Sequence, residues 1–213
     1  MKRILCFGDS NTFGYISGSE HRRYDENKRW TGVLQKLLGL QFKIIEEGLN
    51  SRTIISKDLR KGKEGRCGFD YLLPCLDSHD PLDYVIIMLG TNELKVAFNK
   101  SAEEIGRDFE EFIVKPILTR KYYNGNVPKV IVISPPKVNS KLANVGKEGK
   151  YDESSEEKSL LLEGIYNELS RKNDCIFLSA LMLETGIDGV HFTEGAHQKL
   201  ANMLYSKIME SLK

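Results

Sequence analysis

Short apolar runs recur along the chain, and longer segments with apolar residues three and four positions apart separate them. Val, Ile and Phe dominate the short runs, and several runs are continuously apolar rather than alternating. Continuous apolar runs are typical of strands that are buried on both faces of a parallel sheet. The predicted strands are Ile4–Phe7, Phe42–Ile45, Tyr84–Leu89, Val130–Ile133 and Cys175–Leu178.

The segments between these runs carry helical patterns. The segment Trp30–Leu38 has its apolar residues on one stripe. The sequence Ser101-Ala102-Glu103-Glu104 is a capping box and predicts the start of a second helix, which Pro116 is expected to bend or interrupt. Further helices are predicted over Leu160–Leu169 and from about Thr193 to Leu212.

Alternation of strands and helices over the whole length predicts an α/β protein, with a parallel sheet covered by helices on both faces. The pattern indicates no second domain or repeat, so residues 1–213 are expected to form one domain. In open parallel sheets, ligands bind beyond the carboxyl ends of the strands. Catalytic residues should therefore directly follow the apolar runs.

Four polar clusters lie where this rule expects them, three directly after a strand and one between the last strand and the last helix. They are Gly8-Asp9-Ser10-Asn11, Gly48-Leu49-Asn50, Gly90-Thr91-Asn92-Glu93 and Asp188-Gly189-Val190-His191. A serine hydroxyl is a weak nucleophile until a neighbouring base takes its proton, and a neutral imidazole does this near neutral pH. We predict Ser10 as nucleophile, His191 as its general base and Asp188 as the carboxylate that orients the imidazole.

The same clusters contain candidate donors for an oxyanion hole. The tetrahedral intermediate of acyl transfer needs fixed hydrogen-bond donors at its negatively charged oxygen. The backbone N–H groups of Ser10 and Gly48 and the side-chain amide of Asn92 are predicted to supply them.

Other residues near the clusters are expected to shape the site. Asp9 and Asn11 flank the nucleophile and are expected to fix its turn. Together with Thr12 and Pro135 they are also candidate substrate-binding residues. The long polar segment 135–152 follows a strand and is interpreted either as a lid or substrate wall or as a surface insert.

Composition and charge narrow the candidate functions. The chain has 213 residues, of which 40% are hydrophobic and 29% charged, and its net charge is +1. These values are typical of a soluble folded protein, and no excess charge favours nucleic acid as a partner. The one basic run, 57–66, is interrupted by acids and glycines. We interpret it as a solvated loop rather than a phosphate-binding patch.

Cysteine usage and hydropathy bear on the cellular location. None of the four cysteines forms a C-x-x-C pair or has zinc-finger spacing to a histidine, so reduced thiols are expected. No run approaches the roughly 18 apolar residues of a membrane span. The apolar start of the chain stops at Gly8, which is too short for the core of a signal peptide. We therefore expect a cytoplasmic protein with no membrane partner.

Taken together, the four clusters resemble the sequence blocks of the SGNH-hydrolase superfamily, also called GDSL-type esterases and lipases. Its four blocks carry Ser, Gly, Asn and His, which fall here on Ser10, Gly48, Asn92 and His191. The aspartate of the family's D-x-x-H block falls on Asp188. The likeness runs from Cys6 to the last helix and is greatest to the arylesterase-like subgroup, in which stretches similar to 4–12, 46–50 and 85–92 recur.

The resemblance implies a flavodoxin-like three-layer α/β/α sandwich around a five-stranded parallel sheet. It also implies hydrolysis of small-molecule esters through an acyl-enzyme, without a metal or other cofactor, and often a homo-oligomer. The acyl group is expected to be small, most simply acetyl. The family's third block usually ends in aspartate where this chain has Glu93, which leaves open how the Asn92 loop is braced.

Two other functions remain open from the residues. A strand followed by residues 8–14 can present backbone N–H groups to a phosphate, as in a phosphate- or flavin-binding module without hydrolytic activity. The chain has neither G-x-x-x-x-G-K-[S/T] nor G-x-G-x-x-G, however, and such a module gives His191 no role. Asp9, Asn92 and His191 are also residue types that ligate a metal. Hydrolysis by the G-x-S-x-G mechanism is disfavoured because the pentapeptide is absent.

Overall fold

A five-stranded parallel sheet forms the middle of the computed structural model, which describes residues 1–143 and 150–212. Its strands are β1 (Lys2–Gly8), β2 (Phe42–Gly48), β3 (Tyr84–Met88), β4 (Lys129–Ile133) and β5 (Ile176–Leu178). Their order across the sheet is β2-β1-β3-β4-β5, and every pairing is parallel. This is the flavodoxin-like order of a doubly wound sheet. All the predicted strands are confirmed, with bounds that differ by a few residues.

Helices follow each strand in sequence, the last of them after β5. They are α1 (Ser10–Phe13), α2 (Trp30–Leu38), α3 (Gly68–His79), α4 (Ala102–Phe109), α5 (Lys115–Thr119), α6 (Ser140–Ala143), α7 (Glu153–Lys172) and α8 (Glu194–Glu210). Two short 3₁₀ turns occupy Gly39–Gln41 and Val96–Phe98. No helix in the described ranges combines the length and the apolar character that a membrane crossing requires.

The predicted helices are confirmed, but two boundaries and one helix differ from expectation. The α-helical hydrogen bonding of α4 changes to a π-helical stretch at Glu110–Val114 and resumes in α5 with Pro116 in its first turn, where proline breaks no helix bond. Helix α7 begins at Glu153 because Asp152 caps it, although its first turns are polar. Helix α3 was not predicted because Pro74, a residue that usually ends helices, lies inside it.

Two apolar clusters pack on opposite faces of the sheet. Leu5 and Phe7 of β1 point into the cluster covered by α3, α4, α5 and α7, whereas Ile4 and Cys6 point into the cluster covered by α2 and α8. Successive side chains of a strand alternate between faces, so a strand buried on both sides is apolar throughout. The three-layer α/β/α arrangement is therefore confirmed.

Candidate active site

Three side chains from distant parts of the chain meet at the carboxyl edge of the sheet. The Nε2 atom of His191 lies 2.9 Å from Ser10 Oγ, and its Nδ1 atom lies 2.7 Å from Asp188 Oδ2. A ring that donates its Nδ1–H to Asp188 presents the lone pair of Nε2 to the serine hydroxyl. The structure thus brings together all three predicted catalytic residues, at the distances that a nucleophile, a base and an orienting carboxylate require.

A tight turn at the end of β1 places Ser10. A Cβ atom at Gly8 would lie 2.1 Å from Thr12 Oγ1 and 2.8 Å from the Met88 carbonyl oxygen, so only glycine fits there. Asp9 then caps α1, and its Oδ1 accepts a 2.9 Å hydrogen bond from the Asn11 N–H. Ser10 opens the helix with 7% of its surface exposed, which leaves its hydroxyl on the wall of a cavity.

Asp188 is held as an ionised carboxylate facing His191. Its Oδ1 accepts hydrogen bonds from the N–H groups of Val190 and His191 at 3.1 and 3.0 Å. Burial by itself raises the pKa of Asp188, but the hydrogen bond and charge of the His191 ring and the backbone N–H groups lower it more. The net pKa lies well below the ordinary value for aspartate, so the carboxylate is charged at neutral pH.

Asn11 fixes the loop that carries the histidine. Its side-chain amide donates to the Val190 carbonyl at 3.2 Å, and its oxygen accepts from the Phe192 N–H at 2.9 Å. These bonds clamp the residues on both sides of His191 to the turn that carries Ser10. These two hydrogen bonds hold the nucleophile and its base at a fixed separation. They were not predictable from the sequence, because Asn11 contacts backbone groups that are far along the chain.

The four candidate substrate-binding residues do not line the cavity at Ser10. Asp9 and Thr12 are fully buried, Asn11 is 1% exposed and Pro135 is buried as well. The turn that exposes Ser10 directs its neighbours into the interior. These residues therefore support the site from beneath, which corrects the expectation that they contact substrate.

Asn92 presents its side-chain amide to the same cavity. It is 5% exposed, and its Nδ2 donates one hydrogen bond, 2.9 Å long, to the Arg52 carbonyl oxygen. An amide nitrogen carries two N–H groups, so one remains for an oxyanion beside Ser10. The bond to Arg52 holds the amide in a fixed orientation, as an oxyanion donor requires.

Gly48 was predicted to supply a backbone donor, but Ser51, to which the sequence assigned no role, lies on the cavity at Ser10. Gly48 ends β2, and a Cβ atom there would lie 2.2 Å from the backbone nitrogen of Phe13, so this glycine permits close packing of α1. Gly48 does not line the cavity at Ser10, whereas Asn50 and Ser51 do. Ser51 has a left-handed backbone (φ 66°), and its N–H donates to no acceptor in the described ranges. The backbone donor predicted at Gly48 is therefore better placed at Ser51.

Glu93 braces the Asn92 turn in place of the family's usual aspartate. Its Oε1 accepts a 2.5 Å hydrogen bond from the Ile54 N–H, which links the Asn92 turn to the segment that supplies Ser51. Complete burial raises the pKa of Glu93 to about 7, although the Ile54 N–H opposes the shift. The longer carboxylate thus connects the two loops that carry the proposed oxyanion donors.

The cavity at Ser10 is small and polar. Its volume is about 160 Å³. The residues that line it are Ser10, Tyr15, His21, Asn50, Ser51, Lys63, Asn92, Lys150, Tyr151 and His191. Drug-sized ligands occupy cavities of roughly 300–1,000 Å³, so this space suits a small group next to the serine. Of the predicted lid segment, residues 144–149 lie outside the described residues, but Lys150 and Tyr151 form part of the wall.

Within the described ranges, one cluster has the residue types of a metal site, and it does not include Ser10. Glu47, Cys75 and His79 bring their ligand atoms within 4.8 Å of one another. His79 Nε2 lies 3.0 Å from the Glu47 carboxylate. Burial, reinforced by the charge of Glu47, raises the pKa of the Cys75 thiol to about 12. These side chains act as a hydrogen-bonded cluster at the outer strand of the sheet.

Comparisons with known proteins agree with this geometry. The sequence profile of the GDSL-like lipase/acylhydrolase family matches residues 6–199. The native aryl esterase of M. smegmatis is 35% identical with a TM-score of 0.88, and the alignment covers 99% of each chain. A carbohydrate acetylesterase from Sinorhizobium meliloti is 34% identical with a TM-score of 0.89 and the same coverage. No curated protein matches at a significant level. The chain therefore belongs to the GDSL-like lipase/acylhydrolase family and is an ester hydrolase of the SGNH fold.

Proposed function

We propose that the protein is a serine esterase that removes small acyl groups, acetyl above all, through an acyl-enzyme on Ser10. The observation that carries the proposal is the position of the His191 ring, 2.9 Å from Ser10 Oγ on one side and 2.7 Å from Asp188 on the other. A histidine between a serine hydroxyl and a carboxylate is the arrangement that activates serine for acyl transfer.

In the first step, Ser10 Oγ attacks the carbonyl carbon of the ester, and His191 Nε2 takes the hydroxyl proton. Asp188 stabilises the imidazolium that forms and keeps the ring in the required orientation. The carbonyl oxygen becomes an oxyanion. The N–H groups of Ser10 and Ser51 and the free N–H of the Asn92 amide lie on the same cavity and are assigned to receive it.

In the second step, the tetrahedral intermediate collapses and His191 donates its proton to the departing alcohol. Water then enters, and His191 takes a proton from it as the water attacks the acyl-enzyme. The second tetrahedral intermediate releases the carboxylic acid and returns the proton to Ser10. Each step uses the same imidazole and the same oxyanion donors.

The small cavity supports a short acyl group. A volume of about 160 Å³ next to Ser10 holds an acetyl group, and a second cavity of about 300 Å³ shares Lys150, Tyr151 and His191 with it. The structural relatives named aryl esterase and carbohydrate acetylesterase act on esters of this kind according to their names. Small acyl esters are therefore the substrates to test first.

The alternative of a phosphate-binding turn has less support. The N–H groups of residues 11–15 already donate within the turn: Asn11 to the Asp9 carboxylate, Thr12 and Phe13 to the Asp9 carbonyl, and Gly14 and Tyr15 to the Ser10 carbonyl. A phosphate would find one N–H of the turn, that of Ser10, without a partner in the described ranges. Phosphate sites of this type need several N–H groups that point at the ligand.

Hydrolysis of p-nitrophenyl acetate by the wild-type protein, with EDTA present, tests the proposal. We expect steady release of p-nitrophenolate that the chelator does not affect, and saturation with ester concentration. A fluorophosphonate should stop the reaction, and the mass of the labelled peptide should place the adduct on Ser10. Absence of turnover with acetyl, propionyl and butyryl esters would contradict the proposal.

Replacement of Asn92 by alanine tests the oxyanion hole. We expect kcat to fall about 10²–10³-fold because one donor to the oxyanion is removed. The same amide also holds the Arg52 carbonyl, so thermal unfolding should be measured alongside to separate catalysis from folding. A rate close to wild type in a folded Asn92→Ala variant would place Asn92 outside the hole.

A further inference from the structure

We propose that Ser17 is a positioning residue of the catalytic site, which holds Asp188 in the orientation that His191 needs. This inference rests on the proposed esterase function and adds to it a residue outside the Ser-His-Asp triad. Its basis is a short loop, residues 15–19, that follows α1 in the chain and contacts both Asp188 and the His191 ring. The sequence assigned no role to Ser17.

The loop binds the backbone and the side chain of Asp188. Ser17 Oγ accepts a hydrogen bond of 3.0 Å from the Asp188 backbone N–H. The N–H of Gly18 donates to Asp188 Oδ2 at 3.2 Å. The same oxygen, Oδ2, accepts the Nδ1–H of His191. One loop therefore fixes both the main chain of Asp188 and the carboxylate oxygen that faces the base.

The Ser17 hydroxyl has a second contact with Asp188. Burial raises the pKa of Asp188, and the His191 ring and the Ser17 hydroxyl are among the groups that lower it through hydrogen bonds. A hydroxyl can accept one hydrogen bond and donate another. Its donated bond stabilises the ionised carboxylate, which is the form that orients the imidazole. An alanine at position 17 removes both contacts, so the carboxylate is held in its orientation by fewer groups.

A glycine in the catalytic loop makes room for Ser17. A Cβ atom at Gly186 would lie 2.5 Å from both Cβ and Oγ of Ser17. The N–H of Gly186 donates to the His191 carbonyl at 2.8 Å, and its carbonyl accepts from the Gly189 N–H at 2.9 Å. Because these bonds tie Gly186 to the turn that carries Asp188, the backbone sets the separation between Ser17 and Asp188.

Tyr15 anchors the loop at its other end. The Tyr15 N–H donates to the Ser10 carbonyl at 3.0 Å, and its hydroxyl donates to the Ser19 carbonyl at 2.5 Å. Its ring centroid lies 4.5 Å from that of the His191 ring. The loop is thus attached to the helix of the nucleophile and packs against the base, with Ser17 between these contacts.

Ser17 acts on the reaction through Asp188. It lines neither the cavity at Ser10 nor the second cavity at His191, so it is not placed to contact the ester. The orientation of the carboxylate matters most when His191 becomes an imidazolium. An interaction that is used only in the transition state affects kcat and leaves KM unchanged.

Kinetics with p-nitrophenyl acetate test the inference on the full-length protein. We expect Ser17→Ala to lower kcat about 10–100-fold with KM within about twofold of wild type, because a small displacement of a catalytic group is costly. Ser17→Thr keeps the hydroxyl and should retain most of the rate. Gly186→Ala should lower kcat as Ser17→Ala does, because the added methyl group displaces the Ser17 hydroxyl.

Proton NMR provides a readout that does not depend on turnover. The Nδ1–H of a histidine that donates to a carboxylate resonates far downfield, and the wild-type protein should show this signal for His191. The signal should weaken or move upfield in Ser17→Ala. Ser19→Ala is the matched control, because the Ser19 hydroxyl bonds only within its own loop, to the Ile16 carbonyl and the Arg22 N–H. It should retain both the signal and kcat.

The Asp188→Asn variant tests whether Ser17 acts through the carboxylate. Once the carboxylate is gone, Ser17→Ala should lower kcat by less than about twofold further, because effects that share one partner are not additive. Single-turnover measurements with excess protein give the low rates that this comparison needs.

Four results would overturn the inference. Wild-type kcat in a folded Ser17→Ala variant contradicts it and leaves the esterase function standing. An equal loss of kcat in Ser19→Ala assigns the effect to the order of the loop and not to the Ser17 hydroxyl. A full loss repeated in the Asp188→Asn background shows that Ser17 does not act through Asp188. Absence of turnover by the wild-type protein contradicts the esterase function itself, and the inference falls with it.

Discussion

Replacing Ser10 by alanine is expected to reduce hydrolysis of p-nitrophenyl acetate about 10⁵–10⁶-fold. Without Oγ no acyl-enzyme forms, and the oxyanion donors and substrate binding alone retain only about 10³–10⁴-fold of the acceleration over water. Initial rates at saturating ester give the loss in kcat. The fluorophosphonate adduct should also disappear from the peptide that contains residue 10, which separates loss of the nucleophile from loss of binding.

The fold should tolerate this substitution. The only side-chain hydrogen bond of Ser10 in the described ranges is the one with His191, so removal of Oγ affects only the Nε2 atom of a partly exposed ring that lines the cavity. Ser78→Ala provides a matched control, because Ser78 is exposed on α3 and remote in sequence from all four clusters. Normal turnover by Ser10→Ala, in a preparation free of contaminating esterase, would mean that another residue is the nucleophile.

Most of the site was predictable because parallel sheets place their strand ends at a common edge. Ser10 and Asn92 follow β1 and β3, which are neighbours in the sheet, and His191 precedes α8. A polar residue directly after a continuously apolar run is visible in sequence. Because the carboxyl ends of parallel strands lie at one edge of the sheet, such residues lie close together even when they are far apart in the chain. The alternation of apolar runs with helical patterns predicted the parallel sheet and the α/β class.

Roles that depend on the backbone conformation of single residues were not predictable from the sequence. Ser51 is proposed as a donor because it lines the cavity and its N–H has no acceptor in the described ranges, and its left-handed φ of 66° is not evident from a serine in the sequence. Gly48 was assigned instead, since glycine is the residue usually associated with exposed backbone. Its real constraint is steric, because α1 packs against its Cα. The hydrogen bonds from the Asn11 side chain to the His191 loop were not predictable for a similar reason. The two groups that Asn11 contacts are backbone groups, which every residue carries.

Most of the run 57–66 is exposed, as its interpretation as a solvated loop predicts, but its Lys63 lines the cavity at Ser10. The run 57–66 looks solvated because charged residues are rarely buried and glycines interrupt it. Its folding depends on pairs that sequence does not specify, such as Asp58 with Arg60 and Thr53 with Arg66. Once those contacts form, a surface charge becomes part of the cavity wall, which is why substrate class was harder to predict than catalytic chemistry.

Replacing Asp188 by asparagine is expected to lower kcat about 10⁴-fold while leaving Ser10 and His191 in place. The Asp188 carboxylate accepts a hydrogen bond from the Nδ1–H of His191, which keeps the lone pair of Nε2 available to act as the base. An asparagine can turn its NH₂ group toward Nδ1, which stabilises the opposite tautomer and removes the base from Ser10. Rates with p-nitrophenyl acetate measure the loss, and Glu157→Gln, an exposed carboxylate on α7, controls for removal of a negative charge.

The same substitution has a stability signature whose sign follows from the pKa. In the folded protein the pKa of Asp188 lies below its unfolded value, so its ionised form contributes stability that is present above about pH 4 and lost as pH falls further. Asparagine cannot titrate, so the difference in unfolding free energy between wild type and Asp188→Asn should shrink between pH 5 and pH 3. A difference that stays constant over this interval, together with near-normal turnover, would show that Asp188 neither pairs with His191 nor orients it.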